Sequence, residues 1–240
     1  MDEPKLIRLM DPDDPLTGQA LDLYQNSFPV EEIDPIDGIL RGMRKQLEGR
    51  PEVNRAWRLL AAVNGSRVVG MSMYTYYRDT RLAFLFYLAT QPDLRGQGLG
   101  AWLFRQTRDR LAGDAFDLKG LPPLGMCWEV ERPDDGQSPT EVELRKRRIN
   151  FYKRIGAILL DEIEFIAPPI DDGQPSVPYY LMYLPVAPEA ATVDRHLLKS
   201  VIDSILLYGY DEGPDSEYYL NAIASLNAYI EASISSDKFC

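Results

Sequence analysis

The stretch "LATQPDLRGQGLGAWLF", residues 88–104, decides how this chain is read. Apolar runs close it at either end, and Gly96, Gly98 and Gly100 alternate in its centre behind Arg95. Alternating glycines let backbone approach a partner that a Cβ would hold off. A helix starting at such a turn adds its first N–H groups and its positive end, and the partner that suits this cradle is an anion, above all a phosphate. Several phosphate-binding loops share that appearance. A Walker-type loop needs Lys and then Ser or Thr after its last glycine, and Ala101-Trp102 stand there instead. A dinucleotide fingerprint, G-x-G-x-x-A, is present letter for letter from Gly96 to Ala101. The elements around the loop have to discriminate.

Upstream, Trp57 to Val63 reads as a strand that ends at Asn64-Gly65, a strong hairpin signal, and Arg67 to Tyr77 reads as its return. Arg78-Asp79-Thr80 then turns into a strand from Leu82 to Thr90. An antiparallel meander therefore precedes the glycine loop. The dinucleotide fingerprint belongs instead in the first turn of a parallel βαβ unit, with an acidic residue ending a second strand. The acids available, Asp114 and Asp117, fall in a loop-like "GDAFDLKG". Downstream, a helix is expected from Leu99 to Leu111, with Leu99, Leu103, Thr107 and Leu111 on one face.

Farther out, Lys5 to Met10 reads as a strand, Leu16 to Phe28 as a helix stopped by Pro29, and Ile36 to Glu48 as a helix stopped at Gly49-Arg50-Pro51. Leu124 to Glu131 is the next strand. Ser138-Pro139-Thr140-Glu141 fits a capping box whose helix runs to Ile155 and stops at Gly156. Ala157 to Ala167 and Tyr179 to Val186 are the last two strands. After Pro188 the character changes to two amphipathic helices, Val193 to Tyr208 and Ser216 to Ile234. The second carries Leu220, Ile223, Asn227, Ile230 and Ile234 on one face, which must bury against the domain or against a second copy as a homodimer.

Two motifs now carry a resemblance. "YLATQPDLRGQG" is similar to L-A-V-x-P-x-x-R-G-x-G, with Thr90 where Val is common, and Arg95 to Gly100 fits Arg/Gln-x-x-Gly-x-Gly/Ala. "RRINFYKRIGAILL" is similar to N-x-x-A-x-x-F-Y-x-x-x-G-F through Phe151, Tyr152 and Gly156, with Ala157 in place of the aromatic. Over residues 5–187 the chain resembles the GCN5-related N-acetyltransferases (GNAT); the resemblance does not reach the residues that follow. It implies an α+β fold of three layers, a mixed and mostly antiparallel central sheet of about seven strands flanked by helices. Residues 1–187 would form an acetyl-CoA-dependent N-acetyltransferase domain, and residues 188–240 a helical C-terminal extension.

The resemblance also implies roles. Acetyl-CoA would be the co-substrate, with no metal, and the acetyl group would pass directly to a primary amine of a small molecule, amino acid or peptide in a ternary complex. Arg95, Gly96, Gln97, Gly98, Leu99, Gly100 and Ala101 would cradle the pyrophosphate. Backbone groups of Leu88, Ala89 and Thr90 would meet the pantetheine arm between splayed fourth and fifth strands, one amide polarising the acetyl carbonyl. Tyr152 would protonate the departing thiolate, or else pack in the core with Ile149 and Ile155. Asn150 would contact the CoA arm or a backbone carbonyl, or simply face water.

A base is less legible. The fourth strand has no carboxylate between Leu82 and Thr90. In "GMCWEVERP", alternation puts Cys127, Glu129 and Glu131 on one face. Glu129 is the base or amine-anchor candidate, with an ion pair to Arg147 or Arg148 as the alternative. Cys127 reads as a small buried thiol, and His196 as a solvated helix histidine. Acids and aromatics that could frame an ammonium are Glu31, Glu32, Asp34, Asp171, Asp172, Tyr179 and Tyr180.

Composition bounds these readings. Lys and Arg number 26 against 37 Asp and Glu, a formal charge of −11, which argues against nucleic acid or an anionic membrane as partner. Cys127 and Cys240 form no disulfide framework, the first residues lack a signal peptide's apolar core, and no apolar run spans a membrane, so a reducing cytoplasm is expected. Other readings stay open: an acyl-CoA-binding sensor of the same fold without turnover, an NAD(P)-binding oxidoreductase, or an interaction protein built around its C-terminal helices.

Overall fold

The structure is a computed structural model that describes residues 3–29, 32–49, 53–170, 173–186 and 188–237. Strand β1 (Lys5–Leu9) pairs antiparallel with β2 (Arg55–Asn64), from Lys5↔Val63 to Leu9↔Leu59. The hairpin read at Asn64-Gly65 is present: Gly65 sits at φ 63°, and β2 pairs antiparallel with β3 (Arg67–Tyr77) from Arg55↔Tyr77 to Asn64↔Arg67, with a bulge between Ala62 and Val63. Seven strands form one sheet in the order β1-β2-β3-β4-β5-β7-β6, where β4 is Leu82–Thr90, β5 Gly125–Glu131, β6 Ile158–Ala167 and β7 Val177–Pro185. The fold is thus the mostly antiparallel sheet flanked by helices that the motifs imply.

The chain divides into two compact units, Met1–Asp79 with Leu85–Pro122, and Thr80–Phe84 with Pro123–Cys240. In the first, helix α1 (Pro15–Gln25) is started by Asp14, whose side chain accepts from the Leu16 N–H at 2.8 Å, with Pro15 in the first turn. It buries Ala20, Leu21, Leu23 and Tyr24, and Tyr24 packs edge-on to Tyr87 of β4 at 4.7 Å. The helix ends at Gln25, short of the expected Phe28, because Asn26 closes it with a side-chain bond to the Asp22 carbonyl. Helix α2 (Ile36–Leu47) buries Ile39 and Met43 in the same core.

The expected helix after the glycine loop is divided. Helix α3 (Leu99–Asp109) buries Leu103 and Thr107 as the spacing requires, and Thr107 meets Ser72 of β3 at 2.8 Å. A separate helix, α4 (Leu111–Asp117), occupies what the sequence suggested was a loop. Its Asp114 is buried and takes Arg58 and the Tyr74 hydroxyl, and that tertiary anchor sustains a helix whose glycine-bearing sequence is a weak one.

In the second unit β4 pairs parallel with β5 over Leu82↔Gly125, Ala83↔Met126 and Phe84↔Cys127. Antiparallel β7 lies beyond β5, and β6 pairs with β7. Helix α5 (Pro139–Arg154) starts at Ser138, whose hydroxyl accepts from the Glu141 N–H at 3.2 Å, and stops at Gly156, φ 95°. After Pro188, α6 (Arg195–Ile202) runs into a π-helical segment, Asp203–Leu207, and α7 (Glu217–Asp237) packs on β6. The buried face of α7 is Tyr219, Ala222 and Leu226, whereas Leu220, expected on that face, is 53% exposed. Among the described residues no helix is long and apolar enough to cross a membrane.

Candidate active site

The glycine turn is shaped by what precedes it. A single 3-10 turn, Pro92–Leu94, follows β4, and Leu94 anchors it among Ala62, Val69 and Leu103. Arg95 is extended; Gly96 and Gly98 then adopt φ 78° and 85°, the left-handed region that favours glycine, and α3 starts at Leu99. A Cβ placed on Gly96 or Gly98 would meet no protein atom within 4 Å, so backbone conformation rather than packing requires glycine, and the space beside it is open. Among the described residues no side chain caps the helix at Gly98, and the first N–H groups of a helix have no partner inside it. An uncapped helix start, open left-handed glycines and an exposed arginine are a donor set that fits a pyrophosphate. Arg95, Gly96, Gln97 and Gly98 are exposed, and Leu99, Gly100 and Ala101 half-buried.

Bracing falls to a neighbouring ion pair. Both Arg67 terminal nitrogens donate to Asp93 at 3.0 Å, holding its carboxyl below the usual carboxylate range, and the Gln97 side chain donates to the Asp93 carbonyl at 3.3 Å. Just before the turn, the Gln91 N–H donates to the Val69 carbonyl on β3 at 2.9 Å, and the Ala89 carbonyl lies 3.2 Å from where a Gly70 Cβ would stand. Ala89 therefore turns its backbone groups toward β3. Alternation along the strand sends those of Leu88 and Thr90 to the opposite edge.

In the second unit, the Tyr152 ring lies 4.9 Å from Trp128 and 5.2 Å from Phe151. Tyr152 is half-buried as a residue, and burial pushes its phenol up, with Arg148 opposing. A phenol so placed keeps its proton and can give it to a stronger base. Ile149, one turn earlier, is buried, and Asn150 is exposed.

Glu129 is half-buried and accepts from the Tyr210 hydroxyl at both carboxylate oxygens, 3.1 and 3.0 Å. The arginines considered from sequence go elsewhere: Arg148 bonds Glu131, which Arg145 also approaches at 3.5 Å, and Arg147 pairs with Glu143 at 3.0 Å. Trp128 and Glu129 are consecutive on β5, so their side chains leave opposite faces of the strand, and Tyr152 stands on the Trp128 side. Cys127 is fully buried with its Sγ 3.6 Å from the Ala83 carbonyl. Burial first, and Glu129 second, push its thiol up, which leaves it protonated and inert. His196 is exposed on α6.

The other acids are less telling. Glu32 accepts the Tyr87 hydroxyl through its carbonyl at 2.9 Å, and the Asp34 N–H donates to the Tyr24 hydroxyl at 2.7 Å. Arg132 donates to the Tyr179 carbonyl at 3.2 Å and lies over the Tyr180 ring. Glu31, Asp171 and Asp172 lie outside the described residues, as does Cys240. Asp114, the acid a dinucleotide site would need at a strand end, is instead buried on α4 against Arg58. Tyr210, the observed partner of Glu129, is a residue that sequence reasoning missed; it lies in the extension, and no local pattern marks it.

Residues 19–118 match the model of the acetyltransferase (GNAT) family. No curated protein matches the sequence. Among solved structures, a protein assigned to the GNAT family in Bacteroides thetaiotaomicron superposes with a TM-score of 0.60 at 22% identity, covering 85% of this chain and 98% of that one. An aminoglycoside 6'-N-acetyltransferase complexed with coenzyme A gives 0.51 at 18% identity, covering 79% of this chain and 99% of that one. A tandem GNAT protein from the clavulanic acid biosynthesis pathway gives 0.52 at 22% identity, covering 73% of this chain and 53% of that one. At these identities the structures establish a shared fold.

Proposed function

We propose, from the match of residues 19–118 to the GNAT acetyltransferase model and from the shared fold, that this protein transfers an acetyl group from acetyl-CoA to a primary amine in a ternary complex. The observation that carries the reading is the turn from Arg95 to Ala101, where left-handed Gly96 and Gly98 open an uncapped helix beside free space. In this reading residues 1–187 are the transferase domain and residues 188–240 its extension, in a reducing cytoplasm. The turn holds the pyrophosphate. The outward backbone groups of Leu88 and Thr90 meet the pantetheine arm, and Asn150 the CoA arm. Acetyl-CoA supplies an activated thioester. As the amine nitrogen forms its C–N bond the C–S bond breaks, and the sulfur takes the Tyr152 proton. Glu129, on the other face of β5 from Tyr152, receives through water the proton that the incoming amine sheds. The inert Cys127 favours direct transfer over an acetyl-cysteine route.

Thiol release from acetyl-CoA across a library of primary amines tests the reading. Release with at least one amine is expected; CoA binding with no release for any amine would favour the acyl-CoA sensor. Acetyl-CoA, and not NAD, should raise the melting temperature. Tyr152→Phe should lower kcat by about 10²–10⁴ while CoA affinity holds, since only the transferable proton is lost; unchanged turnover would remove Tyr152 from the mechanism. The raised phenol sets a pH sign. Activity needs its protonated form, so the alkaline limb of kcat should lie above the ordinary tyrosine value of about 10.

A further inference from the structure

The residues after Pro188 lie outside the family resemblance, yet they reach Glu129. Helix α6 passes at Asp203 into a single π-helical segment, Asp203–Leu207. Such segments are rare and collect at functional sites. Ser204 Oγ lies 2.7 Å from Thr80 Oγ1, which seats the segment at the start of β4. Gly209 then rests on Phe84: a Cβ there would lie 2.6 Å from the Phe84 ring and 2.5 Å from the Ile205 carbonyl, so only glycine allows this approach. Tyr210 follows, its ring 6.3 Å from that of Phe84 and its hydroxyl on both oxygens of Glu129. Asp211 follows in the left-handed region at φ 58°, a conformation that short polar side chains tolerate. A π turn, a glycine contact and a left-handed residue within nine positions all serve to deliver one hydroxyl to one carboxylate.

We propose that Tyr210 is the positioning residue for Glu129, and that the segment 203–211 makes the C-terminal extension the acceptor-side wall of the site, where a primary amine docks as its ammonium beside the carboxylate and the ring of Tyr210. The proposal rests on the acetyltransferase reading. Phe84 pairs with Cys127, and alternation puts Cys127 and Glu129 on one face, so the segment covers the face to which Glu129 points. A phenol donor fixes the plane of a carboxylate without cancelling its charge, which leaves it able to accept from an N–H. The half-buried Tyr210 ring beside it adds a cation–π attraction for an ammonium group. The ammonium gives one proton to Glu129, which passes it to solvent. The freed lone pair forms the C–N bond, the C–S bond breaks, and the sulfur takes the Tyr152 proton. The second nitrogen proton, released to solvent, is matched by one that restores the phenol.

The test uses the full chain and a fixed panel of amines: tyramine, spermidine, lysine amide and a glycyl tripeptide. For the amine that turns over best, Tyr210→Phe should raise the amine KM roughly tenfold, the scale of one hydrogen bond to a charged group, with the acetyl-CoA KM unchanged. Glu129→Gln should move the same constant, and the double variant should be no worse than Glu129→Gln alone, because the two residues act as one unit. Tyr219→Phe removes a hydroxyl that bonds Asp203 in the same extension and should leave the amine KM unchanged. An unchanged amine KM in Tyr210→Phe overturns this inference alone. So does a rise of both KM values in Tyr210→Phe and Tyr219→Phe alike, which is the mark of a structural role. Absence of thiol release from the unaltered chain with every amine overturns the acetyltransferase reading and this inference with it.

Discussion

Two places in the molecule join a carboxylate to a tyrosine hydroxyl. In the first unit, Asp114 is 5% exposed, accepts from Tyr74 at 2.7 Å, and takes the Arg58 guanidinium at 2.7 and 2.6 Å. In the second, Glu129 is half-buried and accepts from Tyr210 at both oxygens. The chemical groups match and their circumstances do not. Burial is the largest influence on the Asp114 carboxyl and pushes it up, while Arg58 pulls it down. That carboxylate is tied into the core on two sides and joins α4 to the strands that carry Arg58 and Tyr74. Glu129 stands on a strand face with solvent still in reach. Asp114 is closed in by the core, whereas Glu129 is half-buried, so only the second carboxylate keeps contact with solvent.

The contrast can be broken by measurement. Asp114→Ala should have the largest effect on stability, about 3–5 kcal/mol, because it leaves a buried guanidinium with only the exposed Asp117 carboxylate at 3.8 Å. Urea denaturation reads this, and a loss near zero would mean that Asp114 is no anchor. Next comes Tyr74→Phe, expected to cost about 1–3 kcal/mol by removing one donor from a buried carboxylate. Glu129→Gln should cost least in folding, about 1 kcal/mol, because a half-buried amide oxygen can still accept from Tyr210, while it weakens amine turnover. A stability loss in Glu129→Gln equal to that in Asp114→Ala would merge the two clusters into one structural kind.

Much of the frame was legible because it is local. The Asn64-Gly65 turn, the strand from Arg67 to Tyr77, the cap at Ser138 and the glycine turn are each specified by adjacent residues, and all are present. Helix α4 was missed because its support, Arg58, comes from 56 residues earlier. The buried face of α7 was misjudged because large apolar residues were given the inner positions. The helix instead turns small Ala222 inward, with Tyr219 and Leu226 beside it, and leaves Leu220 outside. Alternation in "CWEVE" placed Glu129 on a face but could not name what covers that face. Tyr210 reaches it from 81 positions away, by way of a π turn that no sequence periodicity announces.

The seat of Ser204 on Thr80 also sets an order in time. On the ribosome, Ser204 follows its partner Thr80 by 124 residues. At bacterial to eukaryotic elongation rates that delay is roughly 6–25 seconds. The first unit, complete at Pro122, has all its residues well before then. The contact that seats the extension at the base of the fourth strand can therefore form only after every residue of the first unit has been made.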